Sequence, residues 1–244
     1  MSICRAALLT ALVSLIALPA AGAEDWATFV PPTDGNFTTY GEKPPELGLV
    51  KRVFALSFAE ECNWALGGAP GSGAEPAVYD ITYKESFGLP TDPERLARLY
   101  RFFCGAGAYN EQHVYMIWES SFGLRPVQFA EPQIKTVHES DELESPLKSL
   151  SITGFSARTA LTNSWYDADA GMIYTLACWR GICDASSRAA YTFADGGFAL
   201  TTYDADPTYD DKVNVFRIFD ATDPKPLDLV PVAEEDLRDY PGWE

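Results

Sequence analysis

Residues 190-AYTFADGGFALTT-202 read as two strands joined by a two-residue turn. Asp-Gly favours the left-handed backbone that a tight turn between antiparallel strands requires. Counting outward from Asp195-Gly196 sets Phe193 opposite Phe198 and Tyr191 opposite Leu200. Cross-strand partners share a face, so these four side chains lie together, as in a sheet buried on one side. The expected fold class is therefore mainly β, built from antiparallel hairpins.

The same pattern continues upstream. In 159-TALTNSWYDADAGMIYTLACW-179, Thr, Trp and Tyr lead into a loop with Asp167, Asp169 and Gly171, and Met172 to Cys178 continue as a strand. The runs 114-VYMIWE-119 and 124-LRPVQF-129 flank Ser120 to Gly123 as a further hairpin. Pro126 lacks a ladder donor, which sends the return strand to an edge or a bulge. Helix signals are sparse. Thr91-Asp92-Pro93-Glu94 has capping-box form and leads into Leu96 and Leu99 on one helix face, predicting a short helix. The segment 234-EEDLRDY-240 predicts another helical turn. Residues 31–46, 67–76 and 139–146 read as loops, the last as a boundary.

A shift of 74 positions overlays Tyr100, Cys104, Gly107 and Gly123 on Tyr174, Cys178, Gly181 and Gly197, with Asn110 on Asp184. Each copy precedes a hairpin, which predicts two related β units, sandwich- or barrel-like, with one or two short helices. The expected organisation is a signal peptide over 1–23, an irregular segment over 24–45, a first unit over 46–145 and a second over 146–244.

The N-terminus sets the expected compartment. Arg5 precedes an apolar run from Ala6 to Leu18, Pro19 breaks it, and Ala21-Gly22-Ala23 forms a small-residue cleavage site. This is the pattern of a secretory signal peptide cleaved after Ala23, and the run is too short for a membrane anchor. The expectation is a periplasmic or extracellular protein without membrane insertion after cleavage. The chain carries 18 Lys and Arg against 35 Asp and Glu, a net charge of −17. Such a surface repels nucleic acid and anionic lipid, and attracts cationic partners. Cys4 lies in the signal, leaving Cys62, Cys104, Cys178 and Cys183. An even number in an exported chain suggests two disulfides with three connectivities open. The pairing expected is Cys62 with Cys104 and Cys178 with Cys183, since each joins positions within one half. Gly181 is the residue expected to allow the short second loop its bend. The spacing matches no zinc pattern.

Three pieces carry a resemblance: Cys104-Gly-Ala-Gly-Ala-Tyr-Asn110, Trp179-Arg-Gly-Ile-Cys-Asp-Ala-Ser-Ser187, and the Asp-Gly hairpin from Tyr191 to Leu200. Together, over roughly residues 95–215 and in order, they resemble a secreted proteobacterial family catalogued as domain of unknown function 1176. Cys183 stands where that family usually has glycine, Ala185 where it usually has cysteine, and Cys62-Asn63-Trp64 replaces an expected Cys-Asp-Asn. The resemblance implies a periplasmic location and no particular chemistry.

Catalytic signals are weak. Gly105, Gly107 and Asn110 form G-x-G-x-x-N, which lacks the third glycine of a dinucleotide fingerprint and leads into a strand rather than a helix. No cofactor is expected. His113 and His138 are the only histidines, neither sits in a triad motif, and no G-x-S-x-G occurs. Asp204, Asp206, Asp210 and Asp211 could offer oxygen ligands to calcium, but the segment lacks the glycine and final glutamate of a helical calcium loop, and no metal is favoured. The loops after the repeat cysteines supply the candidate binding surface: Tyr109, Asn110, Trp179, Arg180 and Asp184, polar-aromatic residues of the kind found at interfaces. The alternative role for these residues is to plug the core and bond turn backbone. The expected function is that of a non-catalytic binding or structural protein, with ligand and partner unknown. Two alternatives are an acidic inhibitor of a cationic enzyme such as a lysozyme, and a hydrolase using carboxylates in a cleft between the halves.

Overall fold

The computed structural model describes residues 41–68, 75–142 and 144–224. The expected signal peptide, most of the irregular segment and the expected turn at 234–240 lie outside them. Two helices come first, α1 (Leu47–Ser57) and α2 (Asn63–Leu66), and twelve strands follow. These are β1 (Ala77–Tyr83), β2 (Arg95–Ala106), β3 (Glu111–Glu119), β4 (Gly123–Pro126), β5 (Phe129–His138) and β6 (Leu147–Arg158). Then come β7 (Ala160–Thr162), β8 (Trp165–Asp167), β9 (Met172–Cys178), β10 (Ser186–Ala194), β11 (Gly197–Asp206) and β12 (Phe216–Asp220). All pairings are antiparallel.

One sheet runs β1-β2-β3-β4, and β7 shares with β4 the outer edge of β3. The other runs β12-β11-β10-β9-β8. Both are open, so the arrangement is a sandwich, not a barrel. Between them lies the main core. Ile81, Ala97, Leu99, Tyr115 and Ile117 from the first sheet meet Ile173, Ala189, Tyr191, Phe198, Leu200 and Tyr203 from the second. Phe129, at the start of β5, lies between them with its ring 5.0 Å from Tyr191. The long hairpin β5–β6 forms a separate two-stranded ribbon whose β5 packs near β11.

The first sheet is buried on both faces. Tyr100, Phe102, Cys104, Val114, Met116 and Trp118 point away from the sandwich and are covered by Val50, Phe54, Phe58, Cys62 and Ala65. Val50, Phe54 and Phe58 recur every fourth residue, so α1 turns one apolar stripe onto the sheet, and Phe54 stacks on Phe102 at 4.2 Å. The order of layers is helix, sheet, sheet.

The short helix expected around Thr91 to Leu99 is not there: residues 95–106 are β2. Ala97 and Leu99 face one core, Tyr100, Phe102 and Cys104 the other, so tertiary burial on two faces overrides the helical spacing of Leu96 and Leu99. Asp92 accepts a hydrogen bond from Leu89 N at 2.7 Å and closes a turn before the strand. The Asp-Gly hairpin has the expected register, Tyr191 with Leu200 and Phe193 with Phe198. Asp195 (φ 48°) and Gly196 (φ 81°) are both left-handed, as a tight primed turn demands. Pro126 ends β4 at a sheet edge. The two repeat segments start two three-strand meanders, β2-β3-β4 and β9-β10-β11.

Candidate functional site

Both expected disulfides are present, Cys62–Cys104 and Cys178–Cys183. Cys104 sits where the β2–β3 register shifts between Phe103 and Gly105. Such a bulge re-aims a side chain, here towards Cys62 at the start of α2. In the second bridge Cys183 N donates to Arg180 O at 2.9 Å, which places Gly181 at the corner of the turn as expected, but the left-handed residue is Cys183 (φ 59°), so the bend does not use glycine's freedom.

The loops after the repeat cysteines meet each other. Asn110 Nδ2 donates to Cys178 O at 2.7 Å, and its Oδ1 accepts from Cys178 N at 3.2 Å and from Asn163 Nδ2 at 2.9 Å. Asn110 thus ties the β2–β3 turn to the end of β9. Tyr109 lies over Gly181 and is 46% exposed. Trp179 packs against the main core, and its Nε1 donates to Ser187 Oγ at 3.3 Å. Arg180 donates to both oxygens of Asp184, and also reaches Tyr209 O at 3.0 Å and Asp211 Oδ1 at 2.6 Å. The Arg180 guanidinium, helped by the N–H groups of Ala185 and Asp211, holds the Asp184 carboxyl well below the usual range. Of the five residues, only Tyr109 is strongly exposed. Asn110 and Asp184 bond the turns, and Trp179 fills the core edge.

The four aspartates of the calcium candidate are occupied by their own surroundings. Asp204 pairs with Arg217, and Asp211 pairs with Arg180. Asp206, fully buried, accepts from the N–H and hydroxyl of Thr208 and from Asn214 N. Asp210 accepts from Lys212 N and Asn214 Nδ2. No group of three His, Cys, Asp or Glu side chains converges among the described residues.

A site outside these expectations lies on the helix side of the first sheet. A cleft of about 680 Å³ opens beside α2. It is lined by Glu61 and Trp64, by Ala157, Arg158 and Thr159 around the end of β6, and by residues at the ends of β2, β3 and β7. Glu131 on β5 also lines it. Such a volume suits a small ligand or a protruding side chain. Trp64 rests on Gly105, where an added Cβ would lie 3.3 Å from the ring, and is 45% exposed. Gly105 therefore gives the indole a place to lie rather than a phosphate a place to bind. Glu61 accepts from Thr159 Oγ1 at 2.7 Å, Arg158 ion-pairs with Glu131, and Gln112 Nε2 donates to Thr162 Oγ1 at 2.9 Å. Sharing Glu131, Arg158, Ala160 and Thr162, a smaller hollow of about 40 Å³ continues between the sheets to Ser187, Tyr191 and Tyr203.

The cleft residues come from five separate stretches, which hides them from motif reading. The Cys62-Asn63-Trp64 departure was the one local signal: it puts an aromatic ring beside a disulfide.

No protein-family model, curated protein or solved structure matches the chain.

Proposed function

We propose that this chain is an exported, non-catalytic binding protein whose ligand occupies the cleft beside α2. One observation carries the reading: an open cavity of about 680 Å³ joining a half-exposed Trp64 to Glu61, Gln112, Arg158 and Thr159. An aromatic surface with a few oriented polar groups is the usual composition of a recognition site. The two disulfides fit an oxidising compartment, and no helix among the described residues is long and apolar enough to cross a membrane. The resemblance to the secreted family points to the same compartment.

A screen of polar small molecules and peptides by titration calorimetry tests the reading, with Ala157→Trp as the blocked control. Ala157 is exposed and lines the cleft, so the indole should fill the site without disturbing the core. Hits should bind the wild type, lose binding to A157W, and be recovered chemically unchanged. A hit converted to product would move the assignment to a hydrolase centred on Glu61 and Glu131. Absence of any hit sensitive to A157W would remove the cleft as the site.

A further inference from the structure

The cleft's own charges point to one class of ligand. Of its lining residues Arg158 is the cation, and it ion-pairs with Glu131 on the neighbouring strand. Glu61 accepts from the Thr159 hydroxyl, which lies 2.7 Å from both carboxylate oxygens, and it also feels the Arg158 charge, so the lining sets two carboxylates against one guanidinium. A carboxylate has about four acceptor directions, and one hydroxyl fills few of them. Three positions along, Trp64 offers a large aromatic surface to the same cavity. A carboxylate next to an indole is the combination that holds a cation carried on an alkyl arm. The carboxylate takes the charged N–H groups, and the ring takes the arm and the face of the cation. A neutral ligand would leave this excess negative charge unmatched. An anion would face a lining with one more carboxylate than cations.

The disulfide makes the pair a fixed one. Glu61 and Trp64 lie on either side of Cys62, which is fully buried and bonded to Cys104 of β2. The backbone that carries both side chains is thus anchored to the sheet, and little ordering is needed on binding. The net charge of −17 raises the local concentration of cations around the entrance.

We propose that the cleft binds an alkyl-guanidinium or alkyl-ammonium group, with Glu61 as the charge partner and Trp64 as the stacking surface. This inference rests on the binding reading above. The group has two sources, a free cationic metabolite or an arginine or lysine side chain of a basic protein.

Calorimetry on the disulfide-bonded protein tests it with n-butylguanidinium and with the peptide Gly-Gly-Arg-Gly-Gly. The controls are n-butylurea and the same peptide carrying citrulline, which keep shape and remove charge. Both cationic probes should bind the wild type, and the neutral controls should bind about tenfold more weakly or not at all. Glu61→Gln and Trp64→Ala should each weaken the cations by about tenfold, and raised salt should weaken them further. Glu61 is exposed, so an unchanged melting temperature is expected for E61Q, and only a modest decrease for W64A, whose ring is half-covered where it rests on Gly105. A peptide that binds more tightly than the small cation favours a protein-borne side chain, and equal binding favours a free metabolite. Equal binding of arginine and citrulline peptides, or no effect of E61Q, would overturn the cation assignment. In that case binding still lost in A157W would leave the cleft itself standing as the site. No binding of either cation to the wild type would also overturn the assignment, and the wider ligand screen would then decide the cleft.

Discussion

His113 lies on the core face of β3, 4% exposed, with Arg101 Nη2 2.8 Å from its Nε2. Arginine can only donate, so Nε2 accepts and the ring carries its proton on Nδ1. Nδ1 has no hydrogen-bond partner among the described residues. Burial, and then the nearby Arg101 charge, push this histidine down to about 4. Glu111 Oε2 stands 3.7 Å away but is largely in solvent, where its charge is screened. The lowered pKa means that the fold prefers the neutral ring. Above the ordinary value near 6.5 both folded and unfolded chains hold it neutral, and the group makes no pH-dependent difference. Between there and pH 4 the unfolded chain takes up a proton that the fold refuses, so stability falls, by up to about 3 kcal/mol. Urea unfolding at stepped pH should show this extra loss in the wild type and not in His113→Gln. Parallel slopes for the two proteins would count against it. The histidine that stands close in sequence to Cys104 is thus a buried neutral acceptor, and the cysteine is bonded elsewhere.

At the level of elements, the disulfides have unequal roles. Cys62–Cys104 closes a separation of 42 residues and fastens α2 to β2, so replacing both by serine should cost about 4 kcal/mol. Cys178–Cys183 spans only 5 positions, and its loss should cost about 2 kcal/mol. Guanidinium unfolding of the two double-serine variants checks the order, which equal losses would contradict. Removing the first bridge should also abolish binding in the cleft, because Glu61 and Trp64 move with α2. The hairpins were legible in the sequence because Asp195-Gly196 fixes register locally and Pro126 names an edge. β2 was not, because both of its faces are buried and the expected alternation of apolar and polar residues disappears. Its Leu96 and Leu99 then imitate a helix. α1 went unread although Val50, Phe54 and Phe58 carry a four-residue spacing after Pro44-Pro45. The bonding of Asn110 and Asp184 to turn backbone was among the roles the sequence suggested. The cleft was not readable, since Glu61, Trp64, Arg158 and Glu131 meet only through tertiary folding.

Across the whole molecule, the two sheets are joined by polar contacts at opposite ends of an apolar seam. At one end Asn110 bonds the backbone of Cys178. At the other, the Asp195-Gly196 turn docks on the first sheet. Ser86 donates to Asp195 from its N–H at 2.7 Å and its hydroxyl at 2.6 Å, and these bonds lower the Asp195 pKa. Arg125 bridges Glu119 at 2.6 Å to Gly196 O at 2.5 Å. A Cβ on Gly196 would fall inside the Glu119 carboxylate, and its φ of 81° already disfavours other residues. Gly196→Ala should therefore destabilise by about 2 kcal/mol or more, and Asn110→Ala by about 2 kcal/mol through its lost bonds. Chemical denaturation checks both, and a change under about 0.5 kcal/mol in either would remove that contact as a fastener.

Polar contacts at both ends of the seam oppose motion of one sheet against the other. Neither sheet can slide along the other without breaking Asn110 from Cys178 or Gly196 from Arg125, and the cleft lies outside that seam, on the helix side of the first sheet. Under the proposed binding function the cleft would serve as a preformed mouth, and the on-rate should follow ligand charge and diffusion rather than the speed of any closing motion.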